Sequence, residues 1–157
     1  VEVGAWDPDS GGQRRLTNAS CRFAYRESRF KHEPLVVLDA TLQLAPDDSQ
    51  RVAARVAEFQ AQRLATQPLA EQNAGSVFRN PPGDFAGRLI EAVGLKGTQE
   101  GSASVSERHA NFIVTQRAGR AVDVRRLAER VRAAVLEATG AALAYEIEFV
   151  GDWEPDR

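Results

Sequence analysis

Alternation of apolar and polar residues predicts that the first third of the chain is extended. Two strand-like stretches flank the turn-forming run Asp7-Pro8-Asp9-Ser10-Gly11-Gly12, so residues 1–17 are expected to form a hairpin. Residues 18–26 show no such periodicity and are expected to be a loop. Residues 35–44 alternate strictly between apolar and polar positions, which predicts a strand.

Helical spacing of apolar residues begins after Pro46. Residues 49–66 carry valine and phenylalanine side chains at helical intervals, and either Asp48 or Ser49 can cap the start of this helix. The alternation typical of strands ends at this point, and the spacing typical of helices begins. We therefore expect the main domain boundary near Pro46.

The remainder of the chain alternates between short helices and strands. We expect a helix over 84–93 stopped by Gly94, a strand over 111–114, and a long helix capped by Asp123 and ended by Gly140. A last strand is expected over 143–150, with Glu146 and Glu148 on the same face. The expected fold class is α+β. The end of a mixed sheet (residues 1–46) is followed by a small α/β sandwich (47–142) and by a closing strand and tail (143–157).

Composition narrows the classes of function. The apolar share of 43% supports a hydrophobic core, and a net charge of −2 argues against a protein that holds nucleic acid by its phosphates. No apolar run approaches the ~20 residues that cross a bilayer, so no membrane partner is expected. A single cysteine, Cys21, fits a reducing compartment, which favours the cytoplasm. The chain contains no methionine, and we therefore interpret it as a fragment or a cleaved product.

The strongest candidate for a functional site in the sequence runs from Asn73 to Asp84. Gly75 permits a backbone conformation that other residues avoid and leaves the hydroxyl of Ser76 unscreened. Arg79 and Asn80 offer hydrogen bonds to an anionic or carbonyl-rich ligand. Spacing alone leaves open a tight surface turn with an ordinary serine. The two histidines, His32 and His109, lack the spacing of metal ligands, so no metal site is expected.

Four stretches, in order, resemble one known family. These are CRFAYRESRFK (residues 21–31), AGSVFRNPPGDFAGRLIEAVGLKG (74–97), VSERHANFIV (105–114) and YEIEFVG (145–151). They are similar to signatures of the bacterial UDP-N-acetylenolpyruvoylglucosamine reductases. The segment after Leu44 leaves no room for an inserted tyrosine-bearing loop, so the chain resembles the short-loop type of that family.

The resemblance implies a reaction and a set of site residues. NADPH would reduce FAD, and the flavin would reduce the enolpyruvyl group of UDP-N-acetylglucosamine enolpyruvate to give UDP-N-acetylmuramate for peptidoglycan. By position, Ser76 would be the general acid, Arg26 the residue that stabilises the enolate, and Glu146 the third catalytic member. A structural ion pair between Arg26 and Glu146 is the alternative for those two residues.

The resemblance also implies substrate contacts and a partner domain. Tyr25, Gln67, Arg79 and Asn80 are expected to contact the substrate. Residues 1–46 match only the later part of the family's FAD-binding domain, so an N-terminal FAD-binding domain is the expected partner and the isolated chain is expected to be inactive. The alternative function is a non-catalytic module that binds a nucleotide sugar or a protein.

Overall fold

The computed structural model describes residues 1–153, so residues 154–157 of the expected tail lie outside the described part of the chain. The chain divides into two compact units, Val1–Val52 and Ala53–Arg157. Helices and antiparallel sheets both contribute, which confirms the α+β class.

The first unit contains a three-stranded antiparallel sheet. Strand β1 (Glu2–Asp7) pairs with β2 (Gly12–Thr17) on one side and with β3 (Val36–Thr41) on the other. The expected hairpin is confirmed, and its turn is stabilised by the Asp7 carboxylate, which accepts the backbone N–H groups of Asp9 and Ser10. Strand β3 ends at Thr41, three residues before the expected end.

The segment between β2 and β3 contains two single helical turns, the first of them inside the expected loop of residues 18–26. Helix α1 (Asn18–Cys21) is capped by the hydroxyl of Thr17, and a 3₁₀ turn covers Arg29–Lys31. Thr17 caps α1 because its side-chain oxygen accepts the N–H of Ser20 at 3.3 Å. The buried core of this unit is small and consists of Val3, Ala5, Leu16 and Cys21.

Helix α2 (Ser49–Thr66) has the expected bounds. Asp48 is its cap, because its Oδ1 accepts the N–H groups of Gln50 and Arg51, both at 3.0 Å. No residue of α2 is buried.

The second unit contains a four-stranded antiparallel sheet in the order β4-β7-β6-β5. Its elements are β4 (Gln72–Ser76), α3 (Ala86–Ala92), β5 (Gln99–Glu100), β6 (Ala103–Val105), β7 (Phe112–Thr115) and α4 (Ala121–Thr139). Gly94 and Gly140 follow α3 and α4 with φ of 71° and 74°, so both expected helix stops are confirmed. One side of α4 packs into a core with the sheet and α3 through Leu127, Val131 and Val135.

Two expectations about the second unit are wrong. Residues 143–150 form no strand: within the described residues, Tyr145 makes a single bridge to Phe78, and the segment is otherwise irregular. Asp123 does not cap α4, because the cap position is Arg120. The Asp123 carboxylate instead accepts the N–H and hydroxyl of Ser102, at 2.9 and 2.7 Å, and so latches the β5–β6 hairpin to α4.

The described residues offer neither a membrane-spanning helix nor a metal-binding cluster. No helix there is both long and apolar enough to span a membrane. The same residues contain no cluster of three or more His, Cys, Asp or Glu side chains that could hold a metal ion.

Candidate active site

Ser76 is the last residue of β4, where that strand leaves its partner. Gln72 and Asn73 pair with Thr115 and Val114 of β7, but the register shifts before Ser76 pairs with Phe112. Gly75 lies within this irregularity with a φ of 82°, and its N–H donates to Oδ1 of Asn73 at 2.9 Å. A bulge of this kind redirects the side chain that follows it. The unusual backbone conformation that the sequence predicted for Gly75 is observed, and the bulge at Gly75 sets the direction of the chain at Ser76.

Ser76 lines a groove of about 430 Å³ in the second unit. The other lining residues are Asn80, Phe85, Gly87, Arg88, Glu91, Arg108, His109, Ala110 and Asn111. They combine two guanidinium groups, one carboxylate and neutral hydrogen-bonding groups around an aromatic ring. Such a set suits an anionic ligand that also carries hydroxyl or carbonyl groups.

Residues 143–153, called the closing segment below, lie against the backbone that follows Ser76. The Glu146 N–H donates to the Val77 carbonyl at 2.9 Å, and the Arg79 N–H donates to the Ala144 carbonyl at 2.8 Å. Glu146 is half-buried there. The two predicted site residues Ser76 and Glu146 are thus joined through Val77, although the expected strand around Glu146 does not form.

Aromatic side chains hold the closing segment in place. Tyr145 stacks on Phe78 with ring centroids 5.3 Å apart, and Phe149 contacts Tyr145 and Trp153 edge to face. The guanidinium group of Arg132 lies 4.8 Å from the Tyr145 ring centroid. Burial, together with the nearby carboxylate of Glu129, raises the pKa of Tyr145 to about 12. The phenol therefore stays protonated at neutral pH.

Of the predicted substrate contacts, Asn80 lines the groove and Arg79 lies beside the closing segment. The side-chain oxygen of Asn80 accepts the N–H of Ala86 at 3.0 Å and so satisfies the first turn of α3. Arg88 of the same helix pairs with Asp84, and this hydrogen bond lowers the pKa of Asp84 to about 2.

Arg108 was not identified from the sequence, although the stretch that contains it was. Its Nη1 donates to the carbonyl oxygens of Leu64 and Gln67, at 3.0 and 3.4 Å. The backbone of Gln67, a predicted substrate contact, is therefore attached to a residue of the groove. The side-chain role of Gln67 stays a prediction.

His109 and Asn111 were also missed. Nδ1 of His109 accepts the backbone N–H of Asn111 at 3.2 Å, and burial lowers the pKa of His109 below its ordinary value of 6.5, with a smaller contribution from Lys96. Asn111 is buried and hydrogen bonds through its side chain to the backbone of Phe78. Both residues fall in VSERHANFIV, one of the four stretches that carry the family resemblance.

Tyr25 and Arg26 belong to the first unit, where they form the tip of a tight turn. Ala24 and Glu27 exchange backbone hydrogen bonds of 3.0 and 3.2 Å across this turn. Arg26 has a φ of 54°, a conformation that is uncommon for a residue other than glycine. Its guanidinium group lies 5.7 Å from the Tyr25 ring centroid, and both side chains are exposed. The catalytic role of Arg26 stays a prediction.

These observations define a class of protein: an α+β chain whose second unit presents a charged groove at the end of a serine-bearing strand. The model of the C-terminal domain of UDP-N-acetylenolpyruvoylglucosamine reductase matches residues 67–150. The chain therefore belongs to the UDP-N-acetylenolpyruvoylglucosamine reductase family.

Individual relatives agree with this assignment. The chain is 45% identical over 151 residues to the UDP-N-acetylenolpyruvoylglucosamine reductase of Moorella thermoacetica, covering 96% of this chain and 50% of that protein. It is 50% identical over 113 residues to the reductase of Alkalilimnicola ehrlichii, covering 72% and 38%. The crystal structure of the Thermus caldophilus reductase matches with a TM-score of 0.78 at 33% identity, covering 94% of this chain and 51% of that one. The chain spans about half the length of the curated relatives it matches.

Proposed function

We propose that this chain contributes to the reduction of UDP-N-acetylglucosamine enolpyruvate to UDP-N-acetylmuramate, with NADPH as reductant and FAD as cofactor, in peptidoglycan precursor synthesis in the cytoplasm. The family assignment and the groove beside Ser76 support this proposal. The observation that carries it is the hydrogen bond between Glu146 and Val77, because it places the backbone of two of the three predicted catalytic residues side by side.

The groove suits the part of this substrate that carries charge. A nucleotide sugar presents a diphosphate and several hydroxyl groups. Arg88 and Arg108 supply guanidinium groups for phosphate oxygens, and the amide of Asn80 supplies a neutral contact. Glu91, on the same wall, favours a ligand that also carries hydrogen-bond donors.

Reduction of the enolpyruvyl group needs a proton at C2 and stabilisation of negative charge on the carboxylate. Ser76 is the proposed proton donor, since it follows the bulge and lines the groove, and positioned donors contribute about 10²–10⁴-fold to rate. Arg26 is the proposed partner of the enolate oxygen, because a guanidinium group stays charged and matches a carboxylate. Glu146 is proposed to assist proton delivery.

The first unit does not by itself fit FAD. A cavity of about 390 Å³ beside the hairpin turn is lined by Asp7, Asp9, Glu33 and Arg14. Arg14 already pairs with Asp7, and Arg29 with Glu33, so the cavity presents carboxylates and no uncommitted guanidinium group to a dinucleotide diphosphate. We therefore propose that residues other than those described here hold the cofactor, and that the purified chain stays colourless after incubation with FAD and removal of free flavin.

Binding of the substrate tests the proposal on the chain as it exists. We expect titration of the ¹⁵N-labelled chain with UDP-N-acetylglucosamine enolpyruvate to shift the amide signals of Ser76, Asn80 and His109. Arg88→Ala should weaken binding about tenfold, the usual scale for a hydrogen bond to a charged group. Arg130→Ala is the matched control, because Arg130 lies on α4 outside the groove and pairs with Glu100. Shifts confined to other residues would contradict the assignment of the groove.

The reaction is tested by exchange with a relative. The chain replaces the matching half of the Moorella thermoacetica reductase, and NADPH oxidation that depends on the substrate is measured. Ser76→Ala should lower kcat by about 10²–10⁴-fold, the range for a general acid. Ser104→Ala, a serine of β6 outside the groove lining, should leave it unchanged. Equal rates for the two variants would remove Ser76 from the mechanism.

A further inference from the structure

The side chain of Asn111 brackets one residue, Phe78, in the segment that follows Ser76, by bonding to both of its backbone groups. Its Oδ1 accepts the N–H of Phe78 at 3.0 Å, and its Nδ2 donates to the carbonyl of the same residue at 2.8 Å. The Asn111 carbonyl also accepts the N–H of Val77 at 2.9 Å. Asn111 is only 4% exposed, so these bonds are protected from water.

The bonds from Asn111 form where the regular pairing of β4 with β7 ends. Strand β4 ends at Ser76 after the shift in register, so Val77 and Phe78 have no continuous partner in β7. Buried backbone groups must nevertheless be paired. Asn111 satisfies them from one side, while Glu146 and Ala144 bond to Val77 and Arg79 from the closing segment. The peptide units after Ser76 are therefore held between Asn111 and the segment that carries Glu146.

His109 fixes Asn111 in turn. The Asn111 N–H donates to Nδ1 of His109, so the neutral ring carries its proton on Nε2. The ring also lies edge-on to Phe112, with centroids 4.9 Å apart. At Gly87 an added Cβ would lie 3.2 Å from Cε1 of His109, so a side chain there would require the ring to shift by a few tenths of an ångström.

We propose that Asn111 and His109 are positioning residues for Ser76 and Glu146. Asn111 fixes the backbone to which both are attached, and His109, as the Nε2–H tautomer, fixes Asn111. This inference rests on the proposed function for the catalytic roles of Ser76 and Glu146, while the hydrogen-bonded arrangement itself does not.

Protonation of His109 breaks the arrangement. A proton on Nδ1 would face the Asn111 N–H, so two donors would meet and Asn111 would have to move. Lys96 opposes this protonation and Glu91 favours it, and both act on the ring through space. Arg88 and Arg108 line the same groove and oppose a further positive charge there.

The first experiment determines the tautomer of His109 and the protection of the amides held by Asn111, both without any ligand. Long-range ¹H–¹⁵N correlations should show the proton of His109 on Nε2, with exposed His32 as the reference signal. His109→Asn keeps an acceptor near the position of Nδ1, whereas His109→Gln keeps a donor near that of Nε2. We expect the amides of Val77, Phe78 and Glu146 to exchange with solvent slowly in the wild type and in His109→Asn, and faster in His109→Gln. A proton on Nδ1, or the reverse order of the two variants, would overturn the role of His109.

The second experiment tests positioning by kinetics in the protein fused to the Moorella half. Asn111→Asp can accept from Phe78 but, as a carboxylate, cannot donate to its carbonyl. We expect kcat to fall about 10²-fold with little change in KM, the scale of a small misplacement of a reacting group. Acidification should restore part of kcat relative to the wild type, because the introduced carboxyl group donates again once it is protonated, whereas Asn111→Ala should show no such rescue. A raised KM with unchanged kcat would make Asn111 a simple ligand contact and overturn the proposal.

The two experiments separate this inference from the proposed function. Loss of protection in His109→Gln together with absent substrate binding by the wild type would contradict the proposed function alone. Substrate binding and turnover by the wild type, with wild-type kcat in Asn111→Asp, would contradict the positioning role alone.

Discussion

The two units of the chain differ in how much apolar surface they bury. The first unit buries only Val3, Ala5, Leu16 and Cys21 as its core, and every residue of β3 is exposed. The second unit buries a continuous core that extends from Val77 to Leu143 and involves helices α3 and α4. Burial of apolar surface is the main favourable term in folding. The second unit therefore has the means to fold alone, and the first has much less.

This difference bears on the site. Ser76 and Glu146 stand on the well-packed unit, and their backbone is fixed by buried hydrogen bonds. Arg26 and Tyr25 stand on the small-core unit, at an exposed turn. Exposed apolar strand residues such as Val37 and Leu38 are typical of a surface that another segment covers. The precision of the site is therefore expected to come from the second unit.

The largest expected effect is a separation of the two unfolding transitions. Each unit contains one of the two tryptophans, Trp6 in β1 and Trp153 in the closing segment. At about 0.1 kcal/mol per residue, the larger unit should be more stable by about 5 kcal/mol. We expect Trp6 fluorescence to change at a lower guanidinium concentration than Trp153 fluorescence, measured in Trp153→Phe and Trp6→Phe chains respectively. Coincident transitions would show that the units unfold together and would remove the contrast between them.

A smaller effect comes from truncating single side chains in the two units. Ile90 is fully buried in the second core, so Ile90→Ala should lower the free energy of unfolding by about 2–5 kcal/mol. Ile90→Val should cost about 0.5–1.5 kcal/mol. Leu38 is 50% exposed, and Leu38→Ala should change stability by less than about 0.5 kcal/mol. Denaturant unfolding measures all three, and a cost for Leu38→Ala equal to that of Ile90→Ala would show that β3 is covered.

Local signals in the sequence predicted the elements they specify. The hairpin turn, the cap at Asp48 and the glycines that end α3 and α4 act on neighbouring backbone groups, and all were confirmed. The prediction of a strand over residues 143–150 was wrong because an alternating pattern does not specify a pairing partner. Residues 143–150 are held by side-chain packing of Tyr145 and Phe149, and by a single bridge.

The site was predictable to a similar extent. The motif around Gly75 identified Ser76 as a candidate, because the unusual backbone conformation at Gly75 is a local requirement, whereas the groove that Ser76 lines is seen only in the structure. Asn111 could not be recognised, since its partner Phe78 lies 33 residues away and no local pattern links them. His109 was interpreted as a satisfied polar residue. Its bond to the Asn111 N–H agrees with that interpretation, but its place in the groove depends on the fold.

The smallest expected effect is a dependence of the second unit's stability on pH that arises from His109. Burial lowers the pKa of His109 below 6.5, so the unfolded chain binds more protons than the folded chain as the pH falls through that value. The contribution of neutral His109 is therefore fully present above pH 6.5 and is lost as the pH falls toward the folded pKa. We expect the Trp153 transition to move to lower denaturant on acidification, and to move less in His109→Asn, which keeps the acceptor for Asn111 but cannot be protonated. The Trp6 transition is the internal control, because the substitution lies in the other unit and should not change its pH dependence. If His109→Asn leaves the pH dependence of the Trp153 transition unchanged, protonation of His109 is not coupled to folding, and the groove tolerates a charged imidazole.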